Sequence, residues 1–158
     1  MKLRQLRLGA LCLLVCALVT TRAFAQSSSS GLTGSGNATF AAATSYGGVA
    51  LTSLDFGAGI EIPGDTSATG HFHTTLQGAT SAIEVDCRVG AGTISADGSS
   101  TFSGTCSVDS GNGSPAGGVA FTAIAVPDGN GRGTLTLTLG SAKLAAAAIQ
   151  DGILTIRP

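Results

Sequence analysis

The sequence predicts an all-β fold, either an antiparallel β-sandwich or a flattened β-barrel of roughly eight to ten short strands with one disulfide bond. Several segments alternate apolar and polar residues with a period of two, as a strand with one buried face does. Turn-forming Gly, Asp, Asn and Pro residues recur about every ten residues, and no segment has a helical period. These two observations favour strands joined by turns.

The clearest segment is a β-hairpin that covers residues 123–139. In its second strand, Leu135, Leu137 and Leu139 alternate with threonines, so that one face is apolar and the other is polar. The turn is rich in Gly and Asn, which tolerate the positive φ angles that tight turns require. The residues of this turn are Asp128, Gly129, Asn130, Gly131, Arg132 and Gly133.

A second pair of predicted strands carries two cysteines. Cys87 belongs to the apolar side of residues 83–89, and Cys106 belongs to the apolar side of residues 102–108. Both side chains should point inward, from strands that are adjacent or that face each other across the core. In an oxidising compartment this pair predicts a disulfide bond. Closing a loop of about 20 residues adds on the order of 3 kcal/mol of stability.

Weaker patterns predict the remaining strands, at residues 38–44, 49–56, 60–62, 69–76 and 119–126. Strict alternation in the second of these places Leu51 and Leu54 on opposite faces. The alanine-rich residues 144–149 fit either a helical turn or a weak strand. Asp151 and Gly152 predict a turn before a last strand at residues 153–156.

Residues 1–25 have the features of a secretory signal peptide. A basic start precedes an apolar run at residues 8–19, and Ala23, Phe24 and Ala25 form the small-x-small pattern that signal peptidase recognises. The run is about a dozen residues long, too short to span a bilayer comfortably, so no retained membrane span is expected. Lipidation at Cys16 is the other alternative, and it is disfavoured because no small residue precedes that cysteine.

The mature chain is expected to begin at Gln26 and to be periplasmic or extracellular. Residues 26–36 are rich in Ser and Gly and predict a flexible segment. A single all-β domain is expected at residues 37–158.

The charge of the exported part limits its partners. Half of the 8 basic residues lie in the signal peptide, whereas all 9 acidic residues follow it, which leaves a net charge of −5. Nucleic acid and anionic membranes are unsuitable partners for such a surface. Only 11% of the whole chain is charged, against about a quarter in average proteins. This composition is typical of exported β proteins and of subunits that pack against copies of themselves.

Four segments between residues 70 and 156 share a pattern with a known family. They are Gly70-His71-Phe72, residues 102–106, the turn at residues 128–133 with the strand that follows it, and residues 151–156. With these segments, about half of the chain resembles the post-COAP domain of secreted and surface proteins. The resemblance implies an extracytoplasmic β domain, and it supplies no catalytic residue.

One cluster of candidate metal ligands is predicted. His71 and His73 lie two residues apart, so a strand would place both rings on one face. Glu84 and Asp86 share the polar face of a strand that can pair beside them, and they complete the candidate set. The alternative is a polar strand face without an ion.

The turn at residues 128–133 matches the start of a calcium-loop pattern, with side-chain oxygens available at its first and third positions. Arg132 and Leu139 stand where further oxygen ligands belong, so the hairpin is the better explanation. The sequence contains no nucleophile elbow, zinc-protease or phosphate-loop motif, and no catalytic residue or cofactor is predicted.

Three functional hypotheses remain. The first is a non-catalytic structural or surface domain that associates with itself or with a cell-surface component, by adding sheet edges to a neighbour. The second is a binding module for a glycan or a surface partner, although Tyr46 is the only Tyr or Trp that could form a sugar platform. The third is a metal-binding protein or metalloenzyme that uses His71 and His73.

Overall fold

The computed structural model of the chain describes residues 30–158 and contains nine β-strands in that range. The predicted signal peptide (residues 1–25) and the first residues of the predicted flexible segment (26–29) lie outside the described residues. The strands are β1 (Gly31–Tyr46), β2 (Val49–Glu61), β3 (Ser67–Gly78), β4 (Ala82–Ile94), β5 (Ser100–Asp109), β6 (Ala116–Pro127), β7 (Gly133–Leu139), β8 (Ala142–Lys143) and β9 (Ala147–Arg157). The prediction of an all-β fold is confirmed. Within the described range, no helix has the length and apolar character needed to cross a membrane.

The strands form one closed antiparallel sheet. Strands β1 to β7 pair in chain order, and β9 lies between β7 and β1. Because β6 also pairs with β7, eight strands complete a barrel, and β8 is a two-residue addition beside β7. Of the two predicted architectures, the structure has the barrel. Closure pairs strands that would be exposed edges in an open sheet.

The barrel interior is filled by the apolar side chains that the alternating patterns predicted. Alternate residues are buried from Ile83 to Val89 on β4 and from Leu135 to Leu139 on β7. Three rings, those of Phe72, Phe102 and Phe121, meet with centroids 5.5 to 6.1 Å apart. Removing these side chains from water is the main source of the stability of the fold.

The predicted disulfide bond is confirmed. Cys87 of β4 lies directly opposite Cys106 of β5, and the two sulfur atoms are 2.07 Å apart. Both cysteines are only 2% exposed. The bond joins adjacent strands, which decides between the two arrangements that the sequence left open.

Two glycines permit the close approach of neighbouring strands. Gly70 of β3 has a φ angle of 144°, and a Cβ atom there would overlap the backbone of Gly59 on β2. At Gly104 of β5, a Cβ atom would overlap the carbonyl oxygen of Arg88 on β4. Such glycine positions let a sheet bend enough to close into a barrel. Both glycines belong to segments that carry the resemblance to the post-COAP domain.

The strands are longer than the sequence predicted. Seven of the nine have 10 to 16 residues, and the two pieces expected at 49–56 and 60–62 are one strand, β2. The prediction of a flexible segment is wrong for residues 31–36, which begin β1. Their backbone groups pair with β2 on one side and with β9 on the other. Gly34 and Gly36 lie against the backbone of β9, where a larger side chain would not fit.

A predicted turn is a bulge in the structure. At Asp151 and Gly152 the chain stays within β9, and the register against β1 shifts so that Gln150 has no partner. Gly152 accommodates the bulge with a φ angle of 109°. The alanine-rich segment before it is partly strand, since β9 begins at Ala147.

A second bulge changes which side chains of β2 are buried. The register against β3 shifts between Leu51 and Ser53. The bulge inserts one extra residue between Leu51 and Leu54, so both side chains face the core. Their exposed fractions are 5% and 0%. The expectation that these two leucines lie on opposite faces is wrong.

Candidate functional site

The candidate metal ligands lie on the outer surface of the barrel. His71 and His73 point outward on either side of Phe72, which is buried in the core. Glu84 and Asp86 point outward from β4, which is the next strand in the barrel. The predicted pairing of the two polar strand faces is thus present.

The register of β3 and β4 brings only part of the candidate set together. His73 is directly opposite Asp86, and its Nδ1 atom lies 2.6 Å from Asp86 Oδ1. Glu84 is instead opposite Thr75, one row further along the strands. Among residues 30–158, no three or more His, Cys, Asp or Glu side chains form a group with the geometry of a metal site.

Arg88 is the outward neighbour that the sequence did not single out. It lies directly opposite His71, so a positive charge occupies the position beside that ring. Its membership of the alternating polar face of β4 was visible in the sequence. Its pairing with His71 was not, because the pairing depends on the register between two strands.

A shallow depression of about 380 Å³ lies beside these side chains. Its lining includes His71, His73, Asp86, Arg88, Thr105, Ser107, Gly117 and Gly118. On the opposite flank of β3, the residues that pair with the two histidines are Gly57 and Gly59, and the space where their side chains would be is open. The β2 flank of the histidine pair is therefore open, whereas Asp86 and Arg88 lie on its β4 flank.

A second depression, of about 350 Å³, lies near the end of β1. Gly31 pairs with Glu61 of β2 on one side and with Arg157 of β9 on the other. Glu61 and Arg157, which carry opposite charges, both line this depression. Thr33 and Thr69 add hydroxyl groups to the lining.

The hairpin turn at residues 128–133 is held by its own aspartate. Asp128 Oδ1 accepts hydrogen bonds from the backbone N–H groups of Asn130 at 3.0 Å and Arg132 at 2.9 Å. The Asp128 N–H group donates to the Arg132 carbonyl oxygen at 2.8 Å. The predicted hairpin is confirmed, since Pro127 and Gly133 close it as a strand pair. The carboxylate that imitated a calcium ligand is a turn-forming group.

Two other aspartates also stabilise turns through their carboxylates. Asp65 and Asp97 each accept hydrogen bonds from the backbone N–H and the hydroxyl of a serine two residues later. Hydrogen bonds from Ser67 hold the pKa of Asp65 below its usual value, and those from Ser99 do the same to the pKa of Asp97.

The outer surfaces of strands β6 and β7 carry no charged side chain, a feature that sequence reasoning missed. Neither strand contains a charged residue, and the outward positions pair as three rows across the hairpin. We call these positions the neutral face, and they are Thr122, Ile124, Val126, Thr134, Thr136 and Thr138. The sequence showed the threonines of β7 but not that Ile124 and Val126 lie beside them.

Comparison of the sequence with family models, with curated proteins and with solved structures gave no match. The resemblance to the post-COAP domain therefore stays a prediction from residues 70–72, 102–106, 128–139 and 151–156.

Proposed function

We propose that the chain is an exported, non-catalytic β-barrel domain with a structural or surface role, and that copies of it associate through the neutral face. The signal-peptide features of residues 1–25 support export, and a buried disulfide bond is compatible with an oxidising compartment. The observation that carries the proposal is the exposure of Ile124 (40%) and Val126 (44%) on a surface without charge.

The neutral face is suited to contact with a second copy of itself. Residues 30–158 contain four basic and nine acidic side chains, and all of them lie outside the six positions of this face. Two negatively charged copies can meet there without placing like charges opposite each other. A symmetric dimer uses the same patch on both partners, so a patch must be compatible with itself. Burying Ile and Val side chains adds about 25 cal/mol per Å² of apolar surface removed from water.

The barrel leaves less room for the edge-to-edge mechanism expected from the sequence. The side of β9 that faces β7 is only partly paired, because β9 pairs with β7 at two positions, Ala147 and Ala148. The hairpin turn covers part of the remainder, since the Leu154 N–H group donates to the Gly131 carbonyl oxygen at 2.6 Å. Contact between faces is therefore favoured over addition of strands.

A single charge placed on the neutral face tests this function. We expect Val126→Lys to keep the barrel fold and to lose self-association, because burying an unpaired ammonium group is costly. Thr75→Lys is the matched control, since it adds the same charge on the outer surface of β3, away from the neutral face. The measurement is the mass of each exported variant by light scattering, with thermal unfolding as the check of folding. Equal masses for Val126→Lys, the control and the unchanged protein would contradict the assignment of this face.

A binding module for a glycan or a surface partner is the second candidate function. It is favoured by the depression beside β3, where Arg88, the two histidines and two hydroxyl side chains converge. A glycan screen of the exported protein and of Arg88→Ala tests it. Binding that is lost in Arg88→Ala while the protein stays monomeric would favour this function over self-association.

A further inference from the structure

The two histidines of the chain stand side by side on the outer surface of β3. They are the only histidines in the sequence. Alternate residues of a strand point to the same side and have Cα atoms about 7 Å apart, so both imidazole rings can reach one ion. Both side chains are exposed, and neither has to move out of the core to bind.

Asp86 gives one of these rings a fixed orientation. His73 Nδ1 lies 2.6 Å from Asp86 Oδ1, and because an ionised carboxylate can only accept a hydrogen bond, the ring N–H is the donor. With the proton of the neutral ring at Nδ1, the lone pair at Nε2 points away from β4 and is free to bind. Histidines that bind metals commonly donate their other ring N–H to a carboxylate in this manner. Asp86 is then a positioning residue and not a ligand.

The surroundings decide which ions fit. On the β2 side, Gly57 and Gly59 leave the approach to both rings open. On the β4 side, the charge of Arg88 offsets that of Asp86, so the site has little negative charge to attract a hard cation such as Ca²⁺. Binding must therefore come from the imidazole nitrogens. Among common divalent ions, Cu²⁺ forms the most stable complexes with such ligands, ahead of Zn²⁺.

We propose that His71 and His73 form a surface site for a divalent transition-metal ion, with Cu²⁺ bound most tightly and Asp86 orienting His73. Two imidazoles supply two of the coordination positions, and water fills the rest. Glu84 has no part in the site, because it lies one row away beside Thr75. This site is separate from the neutral face and does not depend on self-association.

The test is a titration of the exported protein, purified without a polyhistidine tag, with Cu²⁺, Zn²⁺ and Ca²⁺. Affinity is measured by calorimetry, and electron paramagnetic resonance reports the nitrogen ligands of bound Cu²⁺. The double variant His71→Ala/His73→Ala gives the background from the chain terminus and backbone. We expect one Cu²⁺ per chain above this background, weaker Zn²⁺ binding and no Ca²⁺ binding. Each single histidine variant should lose at least tenfold in Cu²⁺ affinity.

Two variants on β4 separate positioning from simple charge attraction. Asp86→Ala should weaken Cu²⁺ binding about 10- to 100-fold and change the resonance spectrum, because His73 loses its fixed orientation. Glu84→Gln removes the same negative charge from the same strand face and should leave affinity and spectrum unchanged. Cu²⁺ binding to the double variant with the affinity of the unchanged protein would overturn the site. Equal losses in Asp86→Ala and Glu84→Gln, or no loss in either, would overturn the role of Asp86.

Discussion

Asp55 links three strands on the outer surface of the barrel. Its Oδ1 atom accepts a hydrogen bond from Asn37 Nδ2 on β1, and its Oδ2 atom accepts one from Gln77 Nε2 on β3, both at 3.0 Å. These bonds stabilise the ionised carboxylate and hold the pKa of Asp55 below its usual value, with Asn37 as the larger cause. The side chain thus contributes to stability through its charged form.

The pH dependence of Asn37→Ala follows from this pKa. Because the pKa is lowered in the folded state, the contribution is complete above the unfolded value of about 3.9. It is lost as the pH falls through the folded pKa. We expect Asn37→Ala to lower the free energy of unfolding at pH 7, by less than about 1 kcal/mol because the carboxylate is exposed. The difference from the unchanged protein should shrink as the pH falls below about 4.

Urea unfolding across this pH range measures the effect. Thr39→Ala is a suitable control, since it is an exposed change on the same strand that does not touch Asp55. Its offset should not vary with pH. A constant difference for Asn37→Ala from pH 7 to pH 2 would show that the hydrogen bond to Asp55 has no preference for the charged form.

The faces of single residues were predictable wherever alternation was unbroken. His71 and His73 were placed outward because a strand period of two is a local property. The bond between His73 and Asp86, and the links of Asp55 to residues 18 and 22 positions away, needed the register between strands. Register depends on turn geometry and on bulges as well as on the hydrophobic pattern, so the pattern alone does not give it.

Among the elements, the β6–β7 hairpin depends on one carboxylate. Asp128 Oδ1 accepts two backbone hydrogen bonds inside the turn, and Asp128→Ala removes both. We expect this change to lower the free energy of unfolding by about 1 kcal/mol, as loss of exposed turn hydrogen bonds does. Asn130→Ala keeps the backbone donor and should cost less. Thermal unfolding of the two variants checks the order, and an equal loss in both would contradict the role of the carboxylate.

The disulfide bond holds β4 and β5 together at the centre of the barrel wall. It joins residues 19 positions apart, so its loss frees a loop of moderate length in the unfolded chain. We expect Cys87→Ala/Cys106→Ala to lower the free energy of unfolding by on the order of 3 kcal/mol. Guanidinium unfolding measures this loss. A reductant should destabilise the unchanged protein and not the variant; a loss below about 1 kcal/mol would contradict a stabilising disulfide.

Elements with a regular pattern were predictable, and elements with an extra residue were not. Strands β4, β5 and β7 follow alternation without interruption in their core segments, and their buried faces were correct. In β9, Gln150 is an unpaired residue, and the Asp-Gly pair after it gives the same local signal as a turn. Residues 31–36 lack large side chains, and only their two neighbouring strands show that they belong to β1.

For the whole molecule, closure of the barrel depends on contacts that are distant in the sequence. Strand β9 pairs with β1 along most of its length, which joins the two ends of the described chain. Sequence patterns predict strands but not their partners, so sandwich and barrel remained equal alternatives. The neutral face, by contrast, lies on a local pairing, because β6 and β7 are the two strands of one hairpin and their uncharged surface is outward.

Raising the salt concentration should maintain or strengthen self-association. Copies with a net charge of −5 repel each other at a distance, and salt screens that repulsion. A contact between neutral faces contains no ion pair that salt could weaken. We therefore expect association to be maintained or strengthened when sodium chloride is raised from about 0.05 to 0.5 M, a range over which the Debye length falls well below 10 Å. An assembly held by ion pairs would dissociate over this range.

The most direct measurement is the mass of the exported protein by light scattering over a hundredfold range of concentration, at low and high salt. The neutral-face contact predicts a mass that rises with concentration from one chain to two or more, with the midpoint unchanged or lower at high salt. A mass of one chain at every concentration, or an assembly that salt disperses, would contradict self-association through this face.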